Sequence, residues 1–112
     1  MTFIESQIAR SETMLARWRG KPATMHRLAK LAAKSLHVVA SDGEAGKNLL
    51  IACIDPVSIS GPVDWNSSHM VLRPCILDDG EEGAELLDEA NGVRIVCHTF
   101  EVKENVKLKG ER

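Results

Sequence analysis

The chain has 112 residues, of which 44% are hydrophobic and 27% charged, and its formal net charge is −2. This length fits one domain, and the composition is typical of a globular protein, which excludes a disordered chain. No apolar run approaches the roughly 18 residues needed to cross a bilayer, and the acid at position 5 is not typical of a secretory signal. The three cysteines lack the spacing of a disulfide framework. We therefore expect one soluble domain, 1–112, with reduced thiols and a cytoplasmic location.

Charge is strongly segregated along the chain. Residues 13–40 contain six basic residues and no acid, whereas residues 41–92 contain eleven acids and two basic residues. Clustered Lys and Arg can bind phosphates, so one hypothesis is nucleic-acid binding by the basic segment. The residues concerned are Arg17, Arg19, Lys21, Arg27, Lys30 and Lys34. A pI of 6.1 instead favours packing of the basic segment beside the acidic segment 41–92, within the chain or across a dimer.

The first predicted element is an amphipathic helix over residues 3–18. Thr2 and Glu5 have the spacing of a capping box, in which each side chain binds a free backbone N–H of the first turn. Ile4, Ile8 and Leu15 then recur at helical spacing. Gly20 and Pro22, just beyond this pattern, are typical of a helix end.

A second, short helix is predicted from Thr24 to about Lys34. Thr24 is a suitable N-cap, and Met25, Leu28 and Leu31 would share one face of the helix. A strand is the competing prediction, because the β-like segment 36–40 follows directly. The helical part of the chain is thus expected within residues 1–34.

Six short strands are predicted after residue 34, at 36–40, 48–54, 57–60, 69–77, 85–90 and 93–102. Pro56 is expected to break a strand or lie at an edge, and Pro74 to mark an edge strand or a bulge. The Asn91–Gly92 pair predicts a type I′ hairpin turn. The four carboxylates within residues 78–82 are expected to be exposed, because burying them together would be too costly.

Together these elements predict the α+β class. One N-terminal helix, or two if the second forms, would pack on an antiparallel sheet of about five or six strands. Residues 35–103 would be β-rich, and 104–112 a polar tail. The run 49–54 is apolar on both faces, as in a strand covered on both sides. Because two-fold homo-oligomers are the commonest assemblies, we expect a homodimer.

The loop 61–69 is the best candidate ligand site in the sequence. It places Asp64, Trp65, Asn66 and His69 between two strands, a combination suited to holding a small polar ligand against an indole face. The alternative is a plain turn in which Asp64 and Asn66 bond the local backbone and Trp65 covers the core.

The cysteines and histidines give no catalytic or metal-binding pattern. Cys53, Cys75 and Cys97 each lie inside an apolar run, where free cysteine behaves as a small hydrophobic residue. Cys97 and His98 are adjacent, so on a strand their side chains point to opposite faces and cannot act as nucleophile and base. We therefore predict no catalytic residue, no metal and no cofactor.

Three functions remain in order of preference. The first is a non-enzymatic interaction protein, homodimeric, that binds a protein partner. The second is a small-ligand binder or small enzyme that uses the 61–69 loop. The third is nucleic-acid binding through the basic residues between 17 and 34. We predict no membrane association.

Overall fold

The computed structural model describes residues 2–30, 33–44 and 46–106, and for residues 27–30 and 33–34 it describes the backbone alone. The predicted N-terminal helix is confirmed as α1, Phe3–Arg17. The backbone N–H of Glu5 donates to the Thr2 hydroxyl at 3.1 Å, and the Thr2 N–H donates to the Glu5 carboxylate at 3.0 Å. Among the described residues, no helix is both long enough and apolar enough to cross a membrane.

The helix packs on one seven-stranded sheet whose neighbouring strands are all antiparallel. The strands are β1 Ala23–Lys30, β2 Ala33–Ser41, β3 Asn48–Ser60, β4 Asp64–Trp65, β5 Val71–Ile76, β6 Glu82–Asp88 and β7 Val93–Glu104. Their order across the sheet is β4-β1-β2-β3-β7-β6-β5, and α1 lies against β5, β6 and β7. The α+β class is confirmed, but the described residues form seven strands rather than five or six.

The predicted second helix is wrong, because its residues form the β1–β2 hairpin. β1 pairs with β2 from Ala23 opposite Ala40 to Lys30 opposite Ala33. The Leu, Ala and Lys residues of this segment favour a helix locally, but such preferences are weak beside pairing with a buried neighbouring strand. Helix α1 is the helical part, shorter than the expected 1–34. Residues 31–32 of the predicted helix, and 107–112 of the predicted polar tail, lie outside the described residues.

Three further differences explain the strand count. The predicted strands 48–54 and 57–60 are one strand, β3, with an irregularity between Pro56 and Ser58 where the register shifts. β4 has only two residues and falls inside the predicted loop. The Asn91–Gly92 turn is not type I′, since only Gly92 has positive φ, and a short 3₁₀ helix, Glu89–Asn91, precedes it.

The core lies between α1 and the sheet. Its largest fully buried side chains are mostly aliphatic and come from the central strands: Leu36, Val38, Leu49, Ile51, Leu86, Ile95 and Phe100. Cys53 and Cys97 are also fully buried, and His98 is exposed, as expected for adjacent positions on a strand. Pro74 lies on β5, an edge strand, as predicted.

Candidate functional site

The 61–69 loop is organised around a buried carboxylate from another strand. Asp88, at the end of β6, has no exposed surface, and its Oδ2 accepts hydrogen bonds from Trp65 Nε1 at 3.0 Å and from the His69 backbone N–H at 2.7 Å. Its Oδ1 accepts a third from Asn91 Nδ2 at 2.9 Å. Trp65 is only 6% exposed and belongs to the core.

These contacts give Trp65 a structural role in the loop. Its indole N–H is bound to Asp88 and its ring is packed, while Asp64, Asn66 and His69 are exposed beside it. A shallow cleft of about 220 Å³ adjoins His69 and Asp88. The four residues therefore share one loop, but the indole face is not open to a ligand. A small-ligand role for Asp64, Trp65, Asn66 and His69 stays a prediction.

The structure places the six basic residues of the 17–34 segment in two groups. Arg17, Arg19 and Lys21 lie at the end of α1 and in the turn that follows. Arg27, Lys30 and Lys34 belong to the β1–β2 hairpin. Since a strand rises about 3.3 Å per residue, the backbone of Lys30 is ~23 Å along β1 from Ala23. The backbone therefore does not bring the six positions together as one patch.

The first group is partly neutralised by acids. Arg17 Nε donates to a carboxylate oxygen of Glu104 at 3.0 Å, and this hydrogen bond holds the pKa of Glu104 below its ordinary value. Lys21 faces Asp42 at 3.9 Å. Lys21 thus lies beside Asp42 of the acidic segment 41–92, whereas Arg17 pairs with Glu104, which is outside that segment.

Arg27 and Lys30 of the second group lie on β1, whose outer edge is largely open, and Lys34 lies on β2. β4 pairs with β1 only at Ala23 and Thr24, and the Met25 N–H donates to Val63 O at 2.8 Å. Within the described part of the chain, no strand pairs with the outer edge of β1 from His26 to Lys30. This stretch, His26–Lys30, is called the open edge below.

The other side of the sheet ends differently. β5 is the edge strand there, and Pro74 stands in its middle, opposite Ala84 of β6. Proline has no backbone N–H and is tolerated in sheets mainly at edges, where it obstructs pairing with a further strand. The two edges of the sheet therefore differ in their capacity to accept one.

Two histidines face each other across the hairpin at the start of the open edge. His26 of β1 is opposite His37 of β2, and His26 Nε2 lies 2.9 Å from the Thr24 hydroxyl. Burial lowers the pKa of His37, and the neighbouring charge of His26 lowers it further. In the described residues, no three His, Cys, Asp or Glu side chains are grouped so as to hold a metal ion.

Sequence reasoning missed both Asp88 and the open edge. The pattern around Asp88, Leu86-Leu87-Asp88-Glu89, gives no sign that this acid is the buried one. The open edge was hidden because residues 24–34 were predicted as a helix, which has no edge. The competing prediction of a strand in this segment was the one sequence feature that pointed to such an edge.

Comparison with protein-family models, curated proteins and solved structures found no match to this chain.

Proposed function

We propose that this protein is a non-enzymatic binding module for another protein, and that it takes an acidic, extended segment of the partner as an added strand along the open edge of β1. One observation carries the proposal: an edge strand without proline that no described strand covers, in a hairpin whose charged residues are all basic. Strand addition to such an edge is a common way in which proteins recognise peptides.

The backbone supplies the hydrogen bonds of this interaction. Along a strand, successive residues direct their N–H and C=O groups to alternate sides. The Met25 N–H points away from β2, toward Val63, so the N–H and C=O groups of Arg27 and Ala29 point outward as well. A partner strand can pair with both residues while β2 remains bound to the other side of β1.

Charge favours an acidic partner strand. The hairpin contributes Arg27, Lys30 and Lys34, and no acid occurs anywhere between residues 13 and 40. Opposite charges on neighbouring strands stabilise their pairing, and like charges oppose it. A second copy pairing through the same edge would bring together basic residues only, so the predicted homodimer would have to use another surface.

The test uses a synthetic acetylated peptide of alternating Glu and Val. Amide hydrogen exchange followed by NMR should slow about tenfold or more at Arg27 and Ala29 when this peptide is added, because both N–H groups become hydrogen-bonded. A peptide of alternating Lys and Val is the charge control and should leave both amides unchanged. Equal protection by the two peptides, or protection at β5 instead, would contradict the proposal.

Two substitutions of Ala29 distinguish strand addition at the open edge from peptide binding elsewhere on the protein. Ala29→Pro removes an outward N–H without touching the bonds between β1 and β2, and it should abolish peptide protection while the sheet persists. Ala29→Val keeps the N–H and should bind as the unmodified chain does. Oligothymidylate is a further probe: if it binds and the acidic peptide does not, nucleic-acid binding replaces this function.

A further inference from the structure

A cleft of about 400 Å³ opens at the carboxyl end of α1, away from the open edge. Arg17, Trp18 and Lys21 form one wall, and the β2–β3 turn contributes Asp42 and Lys47. The end of β7 closes the cleft. Its volume is in the range of small-molecule sites.

The indole of Trp18 is held in a fixed orientation in this cleft. Its Nε1 donates to an oxygen of Glu104 at 2.8 Å, and the same oxygen accepts from Arg17 Nε at 3.0 Å. The Glu104 carboxylate is thus engaged by two donors, one of them cationic. Arg17 neutralises the charge of this carboxylate, and the Trp18 indole forms a rigid surface beside the carboxylate.

The two lysines of the cleft are available to a ligand. Lys21 is 3.9 Å from Asp42, and the two side chains are 42% and 44% exposed, so this ion pair contributes little and can be exchanged at small cost. Lys47 has no ion-pair partner among the described residues. Its backbone is fixed, since its N–H donates to Glu44 O and its carbonyl accepts from the Ser41 hydroxyl, both at 3.0 Å.

The charge balance of the cleft favours an anion. Arg17 and Glu104 neutralise each other, which leaves Lys21 and Lys47 against the single carboxylate of Asp42. Two lysines that line one cleft suit a doubly charged group better than a single negative charge. A phosphate fills only part of about 400 Å³, which leaves room for an organic body against Trp18.

We propose that this cleft binds a phosphorylated small molecule, with its phosphate between Lys21 and Lys47 and its remaining part against the Trp18 indole. The site is independent of the open edge of β1.

The two tryptophans provide a site probe and an internal control in one NMR spectrum. Adenosine monophosphate should shift the Trp18 indole N–H resonance and saturate below about 1 mM, whereas the resonance of buried Trp65 stays in place. Inorganic phosphate should cause a weaker shift of the same resonance, because it lacks a body to contact the indole. Adenosine without phosphate should cause none.

Charge variants test the assigned lysines. Lys21→Gln with Lys47→Gln should weaken binding of adenosine monophosphate at least about tenfold, since both phosphate contacts are lost. Lys103→Gln removes an exposed cation outside this cleft and should leave binding unchanged. A Trp18 resonance that does not move at 10 mM ligand would overturn the proposal, and so would an equal loss in the Lys103 variant or equal binding of adenosine.

Discussion

At the scale of single residues, Asp88 shows how one polar group organises a region without sequence periodicity. Its carboxylate is fully buried, yet it accepts hydrogen bonds from an indole, a backbone amide and a side-chain amide. Asn91 Nδ2 also donates to Ser67 O at 2.8 Å, so the loop and the β6–β7 turn are joined directly. The indole of Trp65 is thereby fixed in the core.

Replacing Asp88 with Ala should destabilise the protein by about 3 kcal/mol, because three donors lose their acceptor in a buried site. Urea unfolding followed by circular dichroism measures this change. Asp78→Ala, in the exposed acidic turn, is the matched control and should have little effect. Equal stability of the two variants would show that the carboxylate is not the anchor of the loop.

At the scale of elements, the β1–β2 hairpin is the main difference between the observed fold and the predicted one, because it replaces the predicted second helix. It also contains a titratable cross-strand pair, His26 opposite His37. Burial opposes the charged form of His37, so the folded protein binds fewer protons there than the unfolded chain near the ordinary pKa of 6.5. This hairpin should therefore be the acid-sensitive part of the sheet.

The unfolding free energy should decrease as the pH falls from about 6.5 through the lowered pKa of His37. Above about pH 6.5, the full stability associated with neutral His37 should be present. Urea titrations between pH 5 and 7.5 would measure the slope. His37→Gln should flatten it, whereas His98→Gln, at an exposed position of β7, should leave it in place. A slope unchanged in the His37 variant would assign the acid sensitivity to other groups.

The elements that the sequence predicts correctly are those with a local physical cause. The capping box and the Ile4, Ile8, Leu15 repeat determine α1, and Pro74 identifies an edge strand. The β1 segment has no such cause, because its residues favour a helix and only pairing with β2 makes it a strand. β4 is too short to leave a pattern.

The candidate sites likewise combine local features, which the sequence predicts, with contacts between distant residues, which it does not. The loop 61–69 is visible in the sequence as a polar connector, but the partner of Trp65 comes from 23 residues further along the chain. Similarly, the Trp18 cleft combines three distant segments, so no local motif contains it. Contacts of this kind depend on strand order, which the residue pattern alone does not specify.

At the scale of the whole molecule, the strands form a single sheet with two buried thiols near its centre. Cys53 of β3 and Cys97 of β7 are fully buried, and interaction with the Cys97 thiol, together with burial, raises the pKa of Cys53. Cys75, on the edge strand β5, is partly exposed. Cys75 and the two buried cysteines therefore report on different openings of the structure.

Iodoacetamide labelling followed by mass spectrometry should modify Cys75 first in the native protein. Cys53 and Cys97 should react together, at a rate that rises with urea as the global unfolding equilibrium does. A Cys75→Ser variant should keep only this slow, paired phase. Different urea dependences for the two buried thiols would mean that β3 and β7 separate before the molecule unfolds.

The contrast between Pro74 on β5 and the uncovered side of β1 limits how far any edge-to-edge assembly can grow. A sheet in which both edge strands can pair with a further strand can form a fibre, since each added chain presents another unpaired edge to the next chain. Among the described strands, β5 carries Pro74, whereas the open edge of β1 has no proline, and we expect Arg27 and Lys30 to oppose pairing of this edge with the same edge of an identical copy. Under the proposed function, we therefore expect the complex to stop growing once the open edge is paired, with a stoichiometry of one partner strand per chain.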